Sequence, residues 1–314
     1  MVGLGYFGSF HARQHAASLR GRLVAVVDAD PARAAAAAAA HGALAFTDHR
    51  ALIGKVDAVS VTVPTSLHHE VAGDLVDAGI HVLIEKPIAD SPAAARDLIA
   101  RAKAGGALLQ IGHIERFSPV FDVFRCAVRR PRVLELTRIA PWKGRAVDVD
   151  VVLDLMIHDI DLVLSLTGSD VVSVEAIGAA IRAPTHDFAR AILRFANGAV
   201  AHLDASRVAE RNERTIRAVD DDGLLVADLA ARIVTRSSGD GGNRHEIAVP
   251  PSDNLALEIA SFLDAVASRR LPVVDGEAGL AALLVADTVM RAIAGQRDDR
   301  FAPAEADTNN GGSP

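Results

Sequence analysis

Short apolar runs of strand length alternate with helix-length stretches through the first third of the chain. Leu23-Val24-Ala25-Val26-Val27-Asp28 is apolar and β-branched, the signature of a buried parallel strand. Asp30-Pro31 then opens a helix through the alanine tract 34–40, with Pro31 in its first turn. Residues 43–47 form a weak strand, and 58–63 form another, closed by Pro64. A helix over 70–78 stops at Gly79, a residue suited to the position after a helix end. Further strands follow at 81–84 and 107–111. Alternation of this kind predicts a doubly wound parallel sheet.

The pattern changes after residue 113. A helix over 119–128, a strand over 133–139 and a loop over 140–150 lead into a helix over 151–166 that stops at Gly168. From 171 to about 249 the period is two, with strand-length runs at 172–180, 188–195, 199–207 and 214–219. Asn197-Gly198 between two of them is a strong hairpin signal. Two helices, 255–267 and 277–294, close the pattern, and the Asn-, Gly- and Asp-rich end reads as a disordered tail. The expected fold is therefore α/β. A doubly wound parallel-sheet, dinucleotide-binding domain (1–113) precedes an α+β domain with an open, mostly antiparallel sheet (114–302), and 303–314 is the tail.

A chain of 314 residues, half of them apolar, has enough material for two cores. Its formal charge of −7 argues against nucleic acid or an anionic membrane as partner. A lone cysteine, Cys126, excludes an internal disulfide and a cysteine-rich metal site. With no signal peptide and no apolar run of about 18 residues, the expected location is cytoplasmic.

Gly3-Leu4-Gly5-Tyr6-Phe7-Gly8 supplies the first chemistry. A strand remnant precedes this G-x-G-x-x-G, a helix follows it, and Asp28 stands twenty residues past Gly8 at the end of the next strand. Gly3 permits the tight turn, Gly5 lets a pyrophosphate approach the helix N-terminus, and Gly8 permits close packing of helix on strand. Asp28 can accept from ribose hydroxyls, and its charge would repel a 2′-phosphate. NAD is therefore preferred over NADP, with Arg33 near enough to soften the preference. Pro64, Thr65 and His68 follow a strand end and are expected beside the cofactor; His68 and His69 read equally well as ordinary helix-start residues. His11 and His15 have zinc-ligand spacing but lack the accompanying glutamate, so no metal is expected. Only Met1 and Val2 precede Gly3, where such a unit needs about five residues. A start site lying upstream is the favoured expectation, and an abnormally short central strand is the alternative.

The second chemistry is Ile84-Glu85-Lys86-Pro87, where an apolar strand stops at a lysine. Lys86 can stabilise a developing alkoxide by its charge, with Glu85 as its tether and Pro87 restricting its backbone. On the 151–166 helix, Asp154 and His158 lie one turn apart. Asp154 is expected to fix one ring nitrogen of His158, leaving the other to take a hydroxyl proton, while Asp161 binds a neighbouring hydroxyl.

The glycine motif, Glu85-Lys86-Pro87 and the Asp154/His158 pair together resemble the glucose–fructose oxidoreductase / inositol dehydrogenase / MocA (Gfo/Idh/MocA) family along residues 1 to about 300. The resemblance implies an NAD-dependent dehydrogenase acting on a sugar CH–OH group, with catalytic residues at Lys86, Asp154 and His158. It also implies Glu85 and Lys86 beside the cofactor, and homodimers or homotetramers packed through the open sheet. Residues 110–119 (QIGHIERFSP) and 153–162 (LDLMIHDIDL) resemble the subgroup of UDP-N-acetylglucosamine 3-dehydrogenases, whose 3-keto product leads to 3-amino sugars of lipid A. The implied substrate site includes Lys86, His113, Glu115, Arg116, Asp154, His158 and Asp161. Arg116 could pair with a diphosphate, with Arg138, Lys143, Arg145, Arg207 and Arg214 as further candidates. Inositol, a free sugar or a UDP-sugar uronate are the alternative substrates, and a non-catalytic nucleotide-binding protein is the alternative of another class.

Overall fold

The computed structural model describes residues 1–144, 147–238 and 244–295; the 303–314 tail and Arg145 lie outside them. The first half carries α1 (Tyr6–Ala17), β1 (Ala25–Val27), α2 (Pro31–His41), β2 (Leu44–Phe46), β3 (Ala58–Val61), α3 (His68–Asp77), β4 (His81–Glu85), α4 (Pro92–Ala104) and β5 (Leu109–Gly112). Strands β1 and β2 pair in parallel, as do β3, β4 and β5. Val2 joins the two groups by bridging Val27 on one side and Val61 on the other. Its N–H donates to Ser60 O at 2.8 Å and its carbonyl accepts from Thr62 at 2.9 Å. One residue thus occupies the central position of a continuous parallel sheet. Strands β1, β3, β4 and β5 are largely buried on both faces, as expected where helices cover both sides, whereas the edge strand β2 is largely exposed.

Local chemistry fixes the ends of the helices. Asp30 accepts from the N–H groups of Ala32 and Arg33, Pro31 follows it, and Gly42 ends α2 in the left-handed region (φ 65°). Ser91 caps α4 in the same way. Aspartates 253 and 275 cap the last two helices, α7 (Asn254–Ser268) and α8 (Gly276–Ala294).

The second half begins with α5 (Pro119–Ala127) and β6 (Val133–Ile139), then a π-helical segment (Val152–Met156) that runs into α6 (Ile157–Thr167). Strands β7 (Val171–Ala179), β8 (Phe188–Phe195), β9 (Val200–Ser206), β10 (Glu213–Asp220), β11 (Gly223–Asp228), β12 (Ile233–Ser237) and β13 (Arg244–Ala248) follow. With β6 they make one eight-stranded sheet in the order β13-β12-β11-β10-β6-β9-β8-β7. Only β6 and β9 pair in parallel. The inward residues of its strands pack with α5, α6 and α8 into one core around Phe121, Phe124, Leu134, Leu136 and Ile160.

The two C-terminal helices return to the first half. The α7 residues Leu255, Ile259 and Phe262 pack on Leu83 of β4. Ile111 donates to Val274 O at 2.9 Å just before α8. They tie the parallel sheet to the large one, and the carboxyl ends of the parallel strands face the π-helical segment. Among the described residues, no helix is long and apolar enough to cross a membrane.

Candidate active site

The glycine loop is shaped for a ligand. Gly3 has φ 85°, and a Cβ there would lie 2.8 Å from Val63 N. A Cβ on Gly8 would lie 2.0 Å from Gly3 O, so only glycine lets α1 approach the loop. Gly5 differs: nothing lies within 4 Å of where its Cβ would be. The N-terminus of α1 has no side-chain cap and no acidic residue in its first turn. Open space before uncapped N–H groups fits a pyrophosphate. Tyr6 and Phe7 are exposed at this helix start, Tyr6 edge-on to Phe10 at 5.2 Å. Pro64 and Thr65 stand in the adjoining turn after β3.

Asp28 is more engaged than the sequence suggests. Its Oδ2 accepts from Leu4 N–H at 2.7 Å, and its Oδ1 accepts from Asp30 N–H at 2.9 Å and from Arg33 at 3.0 and 3.2 Å. Burial would raise its pKa, but these donors hold the carboxyl below the usual range. The side chain that was expected to meet ribose therefore also staples the glycine loop to β1, and Arg33, half exposed, offsets its charge. His68 departs from expectation. It is buried, with Nδ1 2.9 Å from Pro87 O and Nε2 3.0 Å from Val63 O. It clamps together the loops after β3 and β4 rather than lining the cleft. His69 pairs at the surface with Asp97 (2.6 Å).

Lys86 leaves the end of β4 ahead of a cis peptide to Pro87. Its Nζ donates to Asp154 O at 2.6 Å and to Leu153 O at 3.4 Å, and lies 3.6 Å from Asp154 Oδ1. The π-helical segment makes this possible: its wider turn breaks the α-helical ladder, and carbonyls of residues 153 and 154 point at the lysine. The same turn overturns one expectation. Asp154 faces Lys86, and no hydrogen bond joins it to His158, whose Nδ1 is buried without a partner. An α-helical i, i+4 relation does not hold across the junction of the π segment and α6.

Burial lowers the pKa of Lys86, assisted by Arg138 and opposed by Asp154 and Glu85. Burial also drives His158 well below the ordinary imidazole value, with Lys86 and Arg138 adding to the effect. The second shift favours a neutral imidazole, while Asp154 and Glu85 support the lysine charge against burial. His113, after β5, meets His158 edge-on at 6.3 Å; both its ring nitrogens are buried without partners, and burial lowers its pKa.

The other candidates divide sharply. Arg116 donates to Asp161 at 3.2 Å, so Asp161 is buried behind His113 rather than open to a substrate hydroxyl. Arg138 donates to Glu115 at 2.7 Å and to Asp159 at 2.7 and 3.1 Å, with all three side chains buried. Arg207 donates to Asp187 at 2.7 Å. Glu115 thus pairs with Arg138 and also lines the open cavity beside Arg214. Of the sequence candidates for anion binding, Lys143 and Arg214 line an open cavity of about 420 Å³ with Asn212 and Asn254 at the start of α7. Glu85 is not a tether for the ammonium: its Oε2 accepts from the Lys86 N–H (3.3 Å) and its Oε1 lies 3.1 Å from His11 Nε2. Glu258 of α7, absent from the sequence candidates, is fully buried beside this pair.

Comparison with known proteins gives the family and its relatives. Residues 1–113 match the Gfo/Idh/MocA "oxidoreductase family, NAD-binding Rossmann fold", and residues 121–226 match the C-terminal domain of the same family. A UDP-N-acetylglucosamine 3-dehydrogenase of Acidithiobacillus ferrooxidans is 39% identical over 93% of this chain and 96% of its own length. The solved structure of that enzyme superposes with a TM-score of 0.89 over the same shares of the two chains. An inositol 2-dehydrogenase of Rhizobium meliloti is 30% identical over 95% of this chain and 97% of its own. A solved putative myo-inositol dehydrogenase from Sinorhizobium meliloti, 29% identical over 94% of this chain and 97% of that one, gives a TM-score of 0.81.

Proposed function

The chain belongs to the Gfo/Idh/MocA oxidoreductase family, and from that premise we propose that it oxidises the 3-hydroxyl of UDP-N-acetylglucosamine to the 3-keto sugar with NAD. One observation carries the reading. Lys86 meets the Asp154 segment at the carboxyl end of the parallel sheet, in a chain 39% identical over 93% of its length to an enzyme of that activity. Residues 1–113 form the cofactor half and 114–302 the substrate half.

Gly3, Gly5 and Gly8 shape the loop that takes the pyrophosphate on the N-terminus of α1, with Tyr6, Phe7, Asp28, Pro64 and Thr65 around it. NAD, when bound, supplies the hydride acceptor. Lys86, fixed by the carbonyls of residues 153 and 154 and by Asp154, donates to the hydroxyl oxygen and stabilises the alkoxide as it forms. His158 takes the hydroxyl proton. Its Nδ1 is sealed in the interior, which leaves Nε2 for the substrate. Asp154 acts on Lys86, not on His158, and His113 walls the site opposite His158. Arg116 is held by Asp161, and Arg138 by Glu115 and Asp159. The diphosphate of the substrate is assigned to Lys143 and to Arg214, which lies 3.5 Å from Glu115 but stays half exposed in the same cavity. The outer face of the large sheet exposes Val172, Ile177, Val219 and Leu224, and copies of the chain assemble through it.

Purified protein with NAD, offered UDP-N-acetylglucosamine, other UDP-sugars, free sugars and inositols, is expected to form NADH with UDP-N-acetylglucosamine at the highest kcat/KM. NADH from an inositol or a free sugar alone would remove the UDP-sugar assignment and leave the family's dehydrogenase chemistry standing.

A further inference from the structure

Around Glu85 lies a buried cluster that the reaction as drawn does not use. His11 of α1, Glu85 of β4 and Glu258 of α7 each present one donor or acceptor atom within 4.8 Å of the other two. His11 and Glu258 have no solvent exposure. His11 Nε2 lies 3.1 Å from Glu85 Oε1, while His11 Nδ1 and both oxygens of Glu258 have no hydrogen-bond partner. The Oε1 atom of Gln110, on β5, is buried without a partner as well, and its Nε2 reaches only the Glu258 backbone carbonyl at 3.4 Å. No lysine or arginine pairs with Glu258 among the described residues. The remaining titratable groups around the cluster are His15 on α1, Lys86 and His113 after β4 and β5, and Glu115, which is turned toward Arg138 and Arg214.

Two buried carboxylates at this separation, with no lysine or arginine between them among the described residues, do not both stay ionised. A proton on one of them removes a charge and creates a donor. We propose that Glu258 is a positioning residue for Lys86: a neutral carboxylic acid that, with His11, keeps Glu85 as the single carboxylate of the cluster. The link to the chemistry is direct. Glu85 Oε2 accepts from the Lys86 N–H at 3.3 Å, and Glu85 is one of the charges that raise the pKa of Lys86 against its burial. Glu85 is also pinned from behind, since a Cβ on Gly112 would lie 2.6 Å from its Oε1. Burial together with Glu85 pushes the Glu258 carboxyl well above its ordinary value. The proton choice thus fixes both the charge and the place of the strand end that carries the lysine. The inference rests on Lys86 acting as proposed above.

The test pairs a readout independent of turnover with one that depends on it. Infrared difference spectra of wild type against Glu258→Gln at neutral pH, recorded with the full chain, are expected to show a protonated carboxylic C=O band in wild type that the variant lacks. Glutamine keeps a neutral donor and is expected to retain kcat within about threefold, whereas Glu258→Leu is expected to lower kcat on the order of 10- to 100-fold. The kcat/KM pH profile is expected to shift in the leucine variant and to be kept by Glu258→Gln. A leucine variant that retains wild-type kcat and pH profile would overturn the positioning role. Absence of the protonated band would overturn the proton assignment. A stoichiometric divalent cation in wild type that is lost in Glu258→Gln would make the cluster a metal site instead. If wild type turns over no nucleotide sugar, the functional reading falls, while the infrared result still decides the proton.

Discussion

Two buried ionic clusters flank Lys86, and they solve the same problem in opposite ways. On one side, Arg138 satisfies Glu115 and Asp159 through three hydrogen bonds of 2.7 to 3.1 Å, and Arg214 lies 3.5 Å from Glu115. On the other, His11, Glu85 and Glu258 share one contact of 3.1 Å, and His11 Nδ1, both Glu258 oxygens and the amide oxygen of neighbouring Gln110 are left without partners. The difference lies in the cation. A guanidinium offers five donors in a rigid fork and stays charged, so its carboxylates stay charged too. Imidazole offers one or two donors and gives up its charge readily, so a cluster built on it balances itself with a proton. The arginine side is a fixed scaffold for the large sheet and α6. The histidine side is adjustable, and it backs the strand that carries the catalytic group.

The largest expected effect comes from removing the residue on which both clusters act. Lys86→Met is expected to lower kcat by roughly 10³-fold or more, because the charge that stabilises the alkoxide and the donor to its oxygen go together. NAD affinity, measured by fluorescence or calorimetric titration, is expected to stay within a few-fold. Turnover near the wild-type rate would take Lys86 out of the mechanism and leave the two clusters with nothing in common.

Next in size is a stability effect that separates the sides. Arg138→Met strands two buried carboxylates and is expected to cost about 3–5 kcal/mol in denaturant unfolding. Glu258→Gln strands nothing new and is expected to cost much less. If the glutamine variant is the more destabilised of the two, the contrast between scaffold and adjustable cluster is wrong. A smaller effect is confined to substrate binding. Arg214→Ala and Lys143→Ala are each expected to raise KM for the UDP-sugar by about tenfold, with kcat nearly unchanged, through loss of a charge-assisted contact to phosphate. An unchanged KM with UDP-N-acetylglucosamine as a confirmed substrate would move the diphosphate elsewhere.

Much of this was legible in the sequence wherever a period dictated the outcome. The strands at 133–139 and 188–195 were readable to the residue, because inward and outward side chains alternate cleanly along them. Strand β13 gave no such signal, since all five of its residues are exposed. Helix α4 lies between two predicted strands and outside the predicted elements, although Ser91-Pro92 marks its start. The π-helical segment could not be foreseen. Its apolar positions satisfy an α-helical pattern equally well, and only the extra residue in the turn swings Asp154 toward Lys86. Arginines that looked available for phosphate proved to be buried partners of aspartate and glutamate, because pairing across distant strands leaves no local mark. Glu258 did leave one. It stands among Leu255, Ile259 and Phe262, in the middle of a stripe that is otherwise wholly apolar and buried. A lone acid in such a stripe points to a partner or a proton.

The two clusters also differ in the sign of their pH dependence, and this is the finest way to separate them. Glu115 opposes burial through Arg138, so its folded pKa lies below the ordinary 4.5. The unfolded chain binds its proton more tightly. The stability Glu115 contributes is therefore present above pH 4.5 and is lost as pH falls through the folded value. Glu258 is shifted the other way, with a folded pKa well above 4.5. Here the folded state binds the proton more tightly, so stability is fully present below pH 4.5 and is lost as pH rises toward the folded value. The slope for one such group is at most about 1.4 kcal/mol per pH unit. Urea unfolding of wild type, Glu115→Gln and Glu258→Gln from about pH 3 to pH 8 reads both slopes, the Glu115 slope at the acid end and the Glu258 slope above pH 4.5. Relative to wild type, Glu115→Gln is expected to become progressively less stable as pH rises from the acid end, and Glu258→Gln progressively more stable. Parallel curves for the two variants would mean that both glutamates are held in the same charge state, and the proton assigned to the histidine side would have no basis.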